Sequence, residues 1–305
     1  MKYLAIIGLI LAIHTNVSAQ EDIQTLVNQF CLSTSLNEQL LEKIQQQTDV
    51  QQVASAIQRI AGDSTNTEFA NTIYLIRQVQ KKQTSNSKVQ ESLVYSLSKI
   101  ATANKKQAAM ALKAMRAFER KHFTSASKEN ILQVISFNDL ARIEGIEIIG
   151  FIGNDEDIRF LKNVGQFIPL GKKEQYKVLL ALVRLGDPES VDQYVQNITS
   201  RVINDQLIYS ILPDIIYTRN KQVFDFLLQD TQHSIARCYS GNNDSQEKIL
   251  CAYRILEEIA PYILNFPVSV DRSGALVGDY ETALEKVRKW IVDSQLEYTI
   301  NTQLF

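Results

Sequence analysis

Apolar residues recur at intervals of three and four along most of the chain, which is the spacing of one face of an α-helix. Leu93, Leu97 and Ile100 follow this spacing. The pattern predicts helices at Ile23–Cys31, Leu36–Gln47, Val50–Ala61, Glu68–Lys81, Lys88–Ala101, Lys105–Lys121, Lys128–Phe137, Gln246–Ile263 and Glu281–Leu296. The stretch Asn265–Gly278 contains one proline and two glycines and is predicted to be a non-helical loop.

A repeated unit occupies the middle of the chain. Segments 143–158, 176–191 and 208–223 superimpose, each with an apolar helix, a tight turn and the start of a second, amphipathic helix. Equivalent positions are Gly153, Gly186 and Thr218 in the turn, and Ile158, Val191 and Val223 in the second helix. The steps between them are 33 and 32 residues. Repeats of this length are typical of stacked helical hairpins.

The turn residues of the repeat have defined conformational roles. A glycine after the first helix adopts the left-handed cap without steric cost, which we expect at Gly153 and Gly186. The following Asp or Asn is expected to accept hydrogen bonds from the free N–H groups of the second helix, and Pro188 suits a first helical position. Pro213 is expected to kink the first helix of the third copy near its midpoint.

The segment Ala181–Val191 resembles the turn of a HEAT-type repeat in its short, bacterial-like form. The resemblance is clearest from about residue 140 to 230, and the third copy departs from it at Thr218 and Pro213. It implies an all-α fold, a right-handed α-solenoid of stacked antiparallel helical hairpins. We expect residues 20–305 to form one such domain, with atypical hairpins capping both ends.

Composition supports this fold class. The chain contains 11 glycines and 5 prolines, fewer than turn-rich β proteins need, so the pattern leaves no room for a sheet. Cysteines are sparse, at positions 31, 238 and 251. Cys238 and Cys251 flank a predicted loop, with Cys251 a turn or two into the next helix, and are expected to form a disulfide. Two buried free thiols are the alternative, and Cys31 is expected to be free.

The first residues have the features of a secretory signal peptide. Lys2 precedes an apolar run from Leu4 to Ile13, and Val17 and Ala19 fit the small-residue cleavage rule. A membrane anchor would need about 20 apolar residues, about twice this run. We therefore expect residues 1–19 to be cleaved after Ala19, no transmembrane segment, and an exported protein in the periplasm or outside the cell.

Charge is unevenly distributed along the chain. Between residues 77 and 128 there are twelve Lys or Arg and only two Glu, although the formal net charge of the whole chain is −2. On the predicted helix 105–121 one side carries Lys105, Lys106, Lys113, Arg116 and Arg120. This basic stripe is a candidate docking surface for an acidic protein, an acidic glycan or lipid head groups. The alternative is a solvated face neutralised by acidic neighbours in adjacent repeats.

Motifs that carry catalysis are not found in the sequence. Beyond residue 19 there are two histidines, His122 and His233, both at predicted helix ends and expected to cap them or to be exposed. No spacing indicates a metal site, a nucleophile or a phosphate loop, so no cofactor is expected. Asn197 and Asn243 begin N-glycosylation sequons, which matter only in a host that glycosylates them. No nucleic-acid-binding motif occurs.

Three functions fit these features. The first is a non-catalytic interaction scaffold, since stacked hairpins form long curved surfaces that bind partners, here most simply another protein. The second is the helical domain of a secreted lipid-handling or lipid-transfer protein, although the lipid-cavity sheets of such proteins are missing. The third is an enzyme with an unrecognised site.

Overall fold

The structure is a computed structural model that describes residues 22–47, 49–63, 69–83, 85–239 and 248–305. The predicted signal peptide and the Asn243 sequon lie outside these residues. The helices are α1 Ile23–Cys31, α2 Glu38–Gln45, α3 Val50–Gly62, α4 Ala70–Lys82, α5 Ser87–Ala103, α6 Ala108–Met115, α7 Ser125–Phe137, α8 Arg142–Ile152, α9 Asp155–Phe167, α10 Lys172–Leu185, α11 Pro188–Thr199, α12 Asp205–Ser210, α13 Leu212–Thr218, α14 Lys221–Asp230, α15 Cys251–Ile259 and α16 Tyr280–Ser294. Two 3₁₀ turns (Arg120–His122, Ala260–Tyr262) and two strands, β1 Ala236–Tyr239 and β2 Lys248–Leu250, complete the set.

Helix dominates the described residues, which confirms the all-α class. Two predictions of local structure were wrong. The first is the absence of a sheet, because β1 and β2 pair as a short antiparallel hairpin. The second is the helix predicted from Gln246, because residues 248–250 form β2 and α15 begins only at Cys251.

The helix predicted over 105–121 was also wrong in its extent. It is helical only from Ala108 to Met115, and the N–H groups of Ala117 and Phe118 donate to carbonyls three residues back, at Ala114 and Met115. Such bonds tighten a last turn and end a helix. The predicted apolar side of this segment, Ala108 to Phe118, is nevertheless buried at each predicted position: Ala108, Ala111, Leu112, Met115 and Phe118.

Side-chain caps begin the second helices of the repeats, as predicted. Asn154, Asp187 and Asn220 each accept a hydrogen bond from the backbone of the following first turn, and Pro188 is the first residue of α11. Each cap satisfies N–H groups that have no partner within the helix. The capping residues are 33 residues apart in both steps, which makes the predicted second step of 32 residues wrong by one.

The left-handed cap is present at only one of the two predicted glycines. Gly186 ends α10 with φ 84°, as predicted. Gly153 is extended at φ −71° and ψ 178°, so the prediction there was wrong, and a Cβ atom at this position would lie 2.5 Å from the Ile149 carbonyl oxygen. In the third copy the left-handed residue is Arg219, at φ 50°. Pro213 does not kink one helix, because it lies in the first turn of the separate helix α13.

Helices α4, α6, α8, α10, α13 and α15 form a continuous row in which each contacts the next, and we call them the first-helix row. The core runs along this row as two buried clusters that meet on α10, where Leu180 and Val183 belong to one and Ala181 and Leu182 to the other. Consecutive α10 positions therefore join the two clusters.

The disulfide prediction is confirmed. Cys238 on β1 and Cys251 at the start of α15 are bonded, with a Cα–Cα distance of 5.1 Å, and both are buried. The position of Cys251 differs from the prediction, since it is the first residue of its helix. Cys31 is free and buried, as predicted, and burial raises the pKa of its thiol to about 11.

Candidate functional site

The five residues of the predicted basic stripe do not share one face. Lys105, Lys106 and Lys113 are exposed, and Lys113 lies 3.5 Å from a carboxylate oxygen of Glu144 on α8. Arg116 and Arg120 follow the end of α6 and are both partly buried. The stripe therefore divides into an exposed lysine group and an inward-facing arginine pair.

The arginine pair contacts the repeated helices. The Arg116 guanidinium forms an ion pair with Glu147 of α8, which is 7% exposed. Arg120 donates from Nη2 to the carbonyl oxygen of Gly153 at 2.7 Å. The early end of α6 explains both contacts, because the chain turns towards α8 directly after Met115.

The C-terminal ends of α6, α8, α10 and α13 present arginines and aromatic rings next to one another. These are Arg116, Phe151, Arg184, Tyr217 and Arg219, which we call the arginine groove. The Arg184 guanidinium carbon lies 4.7 Å from the ring centroid of Phe151 and 4.8 Å from that of Tyr217. Cations are favoured at helix C-termini by the helix dipole and above aromatic faces by the ring quadrupole.

Residues 299–305 form a segment without helix that bends at Gln303 and ends in this groove, and we call it the C-terminal segment. The Phe305 ring packs edge-on against Phe151 at 5.6 Å and tilted against Tyr217 at 5.5 Å. The guanidinium carbons of Arg116 and Arg184 lie 4.8 and 5.5 Å from its centroid. Phe305 therefore occupies the centre of the arginine groove.

Main-chain hydrogen bonds hold the rest of the C-terminal segment. The carbonyls of residues 303, 304 and 305 accept from the Arg120 N–H at 3.0 Å, Arg184 Nη2 at 2.8 Å and Arg219 Nη2 at 2.9 Å. At its start, Ile300 pairs antiparallel with Ile263. None of these contacts depends on a charged side chain of the segment.

A line of alternating charges crosses the same four helices beneath the groove. Arg116 pairs with Glu147, Lys177 Nζ lies 2.8 Å from Glu147 Oε1, and it also lies 2.9 Å from Asp214 Oδ1. Burial alone would lower the pKa of Lys177, but its bonds to both carboxylates raise it. The buried Tyr217 hydroxyl donates to the Glu147 carbonyl oxygen at 2.7 Å. These contacts fix the relative positions of α8, α10 and α13.

Three guanidinium N–H groups of the groove are buried without a partner among the described residues. They are Arg116 Nε, Arg184 Nη1 and Arg219 Nε. Burial lowers the pKa of Arg184 to about 9 and that of Arg219 to about 10, so both remain cations at neutral pH. Buried donors without acceptors are rare in proteins and cost about 1–3 kcal/mol each.

A basic pocket adjoins the arginine groove beside the first turn of α7. It has a volume of about 430 Å³ and is lined by residues that include Arg120, Lys121, Lys128 and, from the C-terminal segment, Gln303. Lys128 is paired with Asp157 at 2.9 Å, and Lys121 with Glu119 at 2.7 Å. The C-terminal segment connects the groove to the pocket, because Phe305 lies in the groove and Gln303 lines the pocket beside Arg120.

An apolar depression of about 560 Å³ lies elsewhere, between α7 and α9. Phe137 and Phe167 line it and are 71% and 81% exposed. Among the described residues no cluster could hold a metal ion, and no helix is long and apolar enough to cross a membrane. His122 is buried, contrary to the expected capping or exposure, whereas His233 is exposed as expected.

The comparisons with known proteins give no relatives. No family model, no curated protein and no solved structure matches the chain. The HEAT-type resemblance therefore depends on the repeat and its turns alone.

Sequence reasoning missed Arg184, Tyr217, Arg219 and the C-terminal segment. The corrected repeat step of 33 residues contains a signal for two of them. Phe151, Arg184 and Tyr217 are 33 residues apart, each three residues before a capping residue. A bulky aromatic or arginine at the same repeat position on successive helices indicates a continuous surface.

Proposed function

We propose that the protein is an exported, non-catalytic α-solenoid of HEAT-type hairpins that binds an extended segment of a protein partner in the arginine groove. The proposal rests on one observation above all, the position of residues 299–305. A segment of this chain is held there by three main-chain carbonyls and one aromatic ring. A surface that holds one non-helical peptide through its main-chain oxygens can hold another with a different sequence.

The row of first helices supports the scaffold part of the proposal. Stacked hairpins bring equivalent positions of successive units together, and such surfaces are the usual binding surfaces of helical repeat proteins. The right-handed solenoid and the HEAT-type class are parts of the proposal, argued from the 33-residue spacing of the capping residues and from the contacts along the row.

Selection from a random peptide library tests the binding function. The bait is the chain with Phe305→Ala, which weakens the C-terminal segment. We expect enriched peptides whose affinity falls at least tenfold when Arg184→Gln is added, because the groove loses its central cation. Arg272→Gln, at an exposed position outside the groove, is the matched control and should change affinity less than twofold. Enrichment of no peptide, or equal binding by the Arg184→Gln protein, would contradict the proposal.

Export is tested at the predicted cleavage site. Expressed with residues 1–19 in a bacterial host, the chain should appear outside the cytoplasm with a mass that begins at Gln20. Ala19→Arg should leave the leader attached, because signal peptidase requires a small residue before the cut. An uncleaved wild-type chain in the cytoplasm would remove export from the proposal.

A further inference from the structure

The side chains of the C-terminal segment do not match the charge of the arginine groove. Its seven side chains, from Thr299 to Phe305, carry no formal charge. They lie against four arginines: Arg116, Arg120, Arg184 and Arg219. Of the ion pairs among the described residues, only that of Arg116 with Glu147 includes one of these four. The arginines therefore meet the segment through main-chain oxygens and one aromatic ring, and not through a charged side chain.

The unsatisfied donors lead to the same conclusion. Arg116 Nε, Arg184 Nη1 and Arg219 Nε stay buried and unpartnered while the segment is in place. Guanidinium groups bind carboxylates through short, charge-assisted hydrogen bonds, which are about twice as strong as neutral ones. A ligand with a carboxylate side chain would thus offer a charged acceptor that the side chains of the C-terminal segment lack.

Gln303 marks a position where a carboxylate would meet a different cation of this surface, Arg120. It lines the basic pocket together with Arg120, Lys121 and Lys128, two positions before the ring that fills the groove. The pocket carries three cations, and two of them already have acidic partners, whereas the Arg120 guanidinium donates only to the carbonyls of Ile152 and Gly153 among the described residues. An acidic side chain at the Gln303 position would give Arg120 an ion-pair partner.

We propose that the groove recognises a partner's extended peptide that carries an acidic residue two positions before an aromatic residue, and that residues 299–305 compete for the same site. This inference rests on the peptide-binding function proposed above. The tethered segment is present at an effective concentration of up to the millimolar range, so it lowers the apparent affinity for any peptide in solution. A partner replaces it by supplying the missing negative charge.

The test measures fluorescence anisotropy of two labelled heptapeptides with amidated C-termini. One has the sequence of residues 299–305, and the other carries Gln303→Glu. Against the Phe305→Ala protein at low salt, we expect the acidic peptide to bind at least tenfold more tightly than the neutral one. The difference should shrink in 0.5 M NaCl, because salt screens the charges (Debye length about 3 Å at 1 M and about 10 Å at 0.1 M). Wild-type protein should bind each peptide at least tenfold more weakly.

Two exposed lysines provide a matched pair of variants. Lys121→Glu reverses a charge in the basic pocket and should remove most of the preference for the acidic peptide. Lys105→Glu makes the same change in charge outside the pocket and should leave the preference intact. Equal loss with both variants would mean that net charge alone, and not the pocket, selects the peptide.

The outcomes separate the inference from the function on which it rests. No binding of either peptide by the Phe305→Ala protein would contradict the peptide-binding function itself. Equal affinity for the two peptides would overturn the acidic preference, and equal affinity of wild type and Phe305→Ala would overturn the competition. Hydrogen exchange on the wild-type protein tests the competition without any mutation. Saturating acidic peptide should speed exchange of the Asn301 amide, which donates to the Tyr262 carbonyl, and unchanged exchange would overturn the competition.

Discussion

At the scale of single residues, α8 combines a very small residue with a buried charge. Gly150 lies where α8, α10 and Tyr217 meet, and a Cβ atom there would be 2.2 Å from the Tyr217 hydroxyl and 2.7 Å from the Ala181 Cβ. One helical turn earlier, Glu147 forms ion pairs with Arg116, which follows α6, and with Lys177 of α10. The floor of the arginine groove depends on both residues, because they fix the distance between neighbouring helices.

Gly150→Ala should destabilise the protein, although alanine is the better helix former. The preference of alanine for helix is about 1 kcal/mol. Overpacking against the Ala181 backbone typically costs about 1–3 kcal/mol, and the clash distances here are severe. We expect a lower urea midpoint and weaker peptide binding, because Tyr217 must move. Gly62→Ala is the control, since a Cβ at that helical residue meets nothing within 4 Å. An unchanged midpoint for Gly150→Ala would contradict this packing.

Lys177→Met should cost about 1–3 kcal/mol of unfolding free energy. This is below the 3–5 kcal/mol typical of breaking a fully buried pair, because Lys177 and Asp214 side chains are each 18% exposed. The folded-state pKa of Lys177 is raised, so its stabilising effect is complete below the unfolded value of about 10.4 and is lost as the pH rises through the folded one. The difference from wild type should stay constant between pH 6 and 9 and narrow only above about pH 10. Lys105→Met, at an exposed position, should change stability little.

At the scale of elements, sequence reasoning predicted most helices within a few residues and missed what depends on tertiary contacts. Both ends of the helix Ile23–Cys31 were predicted correctly, because the helical spacing of apolar residues starts and stops where the helix does. The helix from Lys105 was predicted too long, because Arg116 and Arg120 can continue a helical pattern, yet they are drawn to Glu147 and Gly153 on α8. Charge spacing on one helix does not show which carboxylate lies opposite.

Asp187 is the cap that most clearly links one repeat to the next. It accepts from the Ser190 N–H at 3.2 Å and the Ser190 hydroxyl at 2.7 Å, and it pairs with Lys162 of α9 at 2.7 Å. Burial alone would raise its pKa, but these partners hold the pKa of Asp187 below its usual value. The carboxylate therefore stabilises the folded state.

Asp187→Ala should lower the unfolding free energy by about 1–2 kcal/mol, the typical cost of losing a cap. Asp187→Asn keeps the cap and loses the charge, so it should lower stability by less. Because the folded pKa lies below the unfolded value of about 3.9, the contribution of the charge is present above that pH and is lost as the pH falls through the folded pKa. Urea midpoints should therefore separate wild type from Asp187→Asn at pH 7, and the gap should narrow as the pH falls below about 3.9. A gap of the same size at pH 7 and at pH 2 would exclude the ionised carboxylate as its cause.

At the scale of the whole molecule, the C-terminal segment connects distant parts of the chain. It pairs with residues next to α15 at its start and reaches the N–H of Arg120 and the end of α8 at its finish. Phe305 packs against both hydrophobic clusters. Its course could not be predicted from the sequence, because the arginines that bind its last three residues are more than 80 positions away and its own seven residues show no helical or strand pattern.

Phe305→Ala should separate the unfolding of the two halves of the molecule. In the proposed solenoid each hairpin would contact mainly its neighbours, so stability would be a sum of local terms, and a segment that bridges several hairpins would make unfolding more cooperative. Loss of this half-buried ring should cost about 1–3 kcal/mol, less than the 3–5 kcal/mol of a fully buried phenylalanine. Trp290, the single tryptophan, lies on α16 and reports the C-terminal half, whereas far-ultraviolet circular dichroism reports all helices. In urea, the two signals should coincide for wild type. For Phe305→Ala the fluorescence transition should come first, and coincident transitions would show that the segment does not couple the halves.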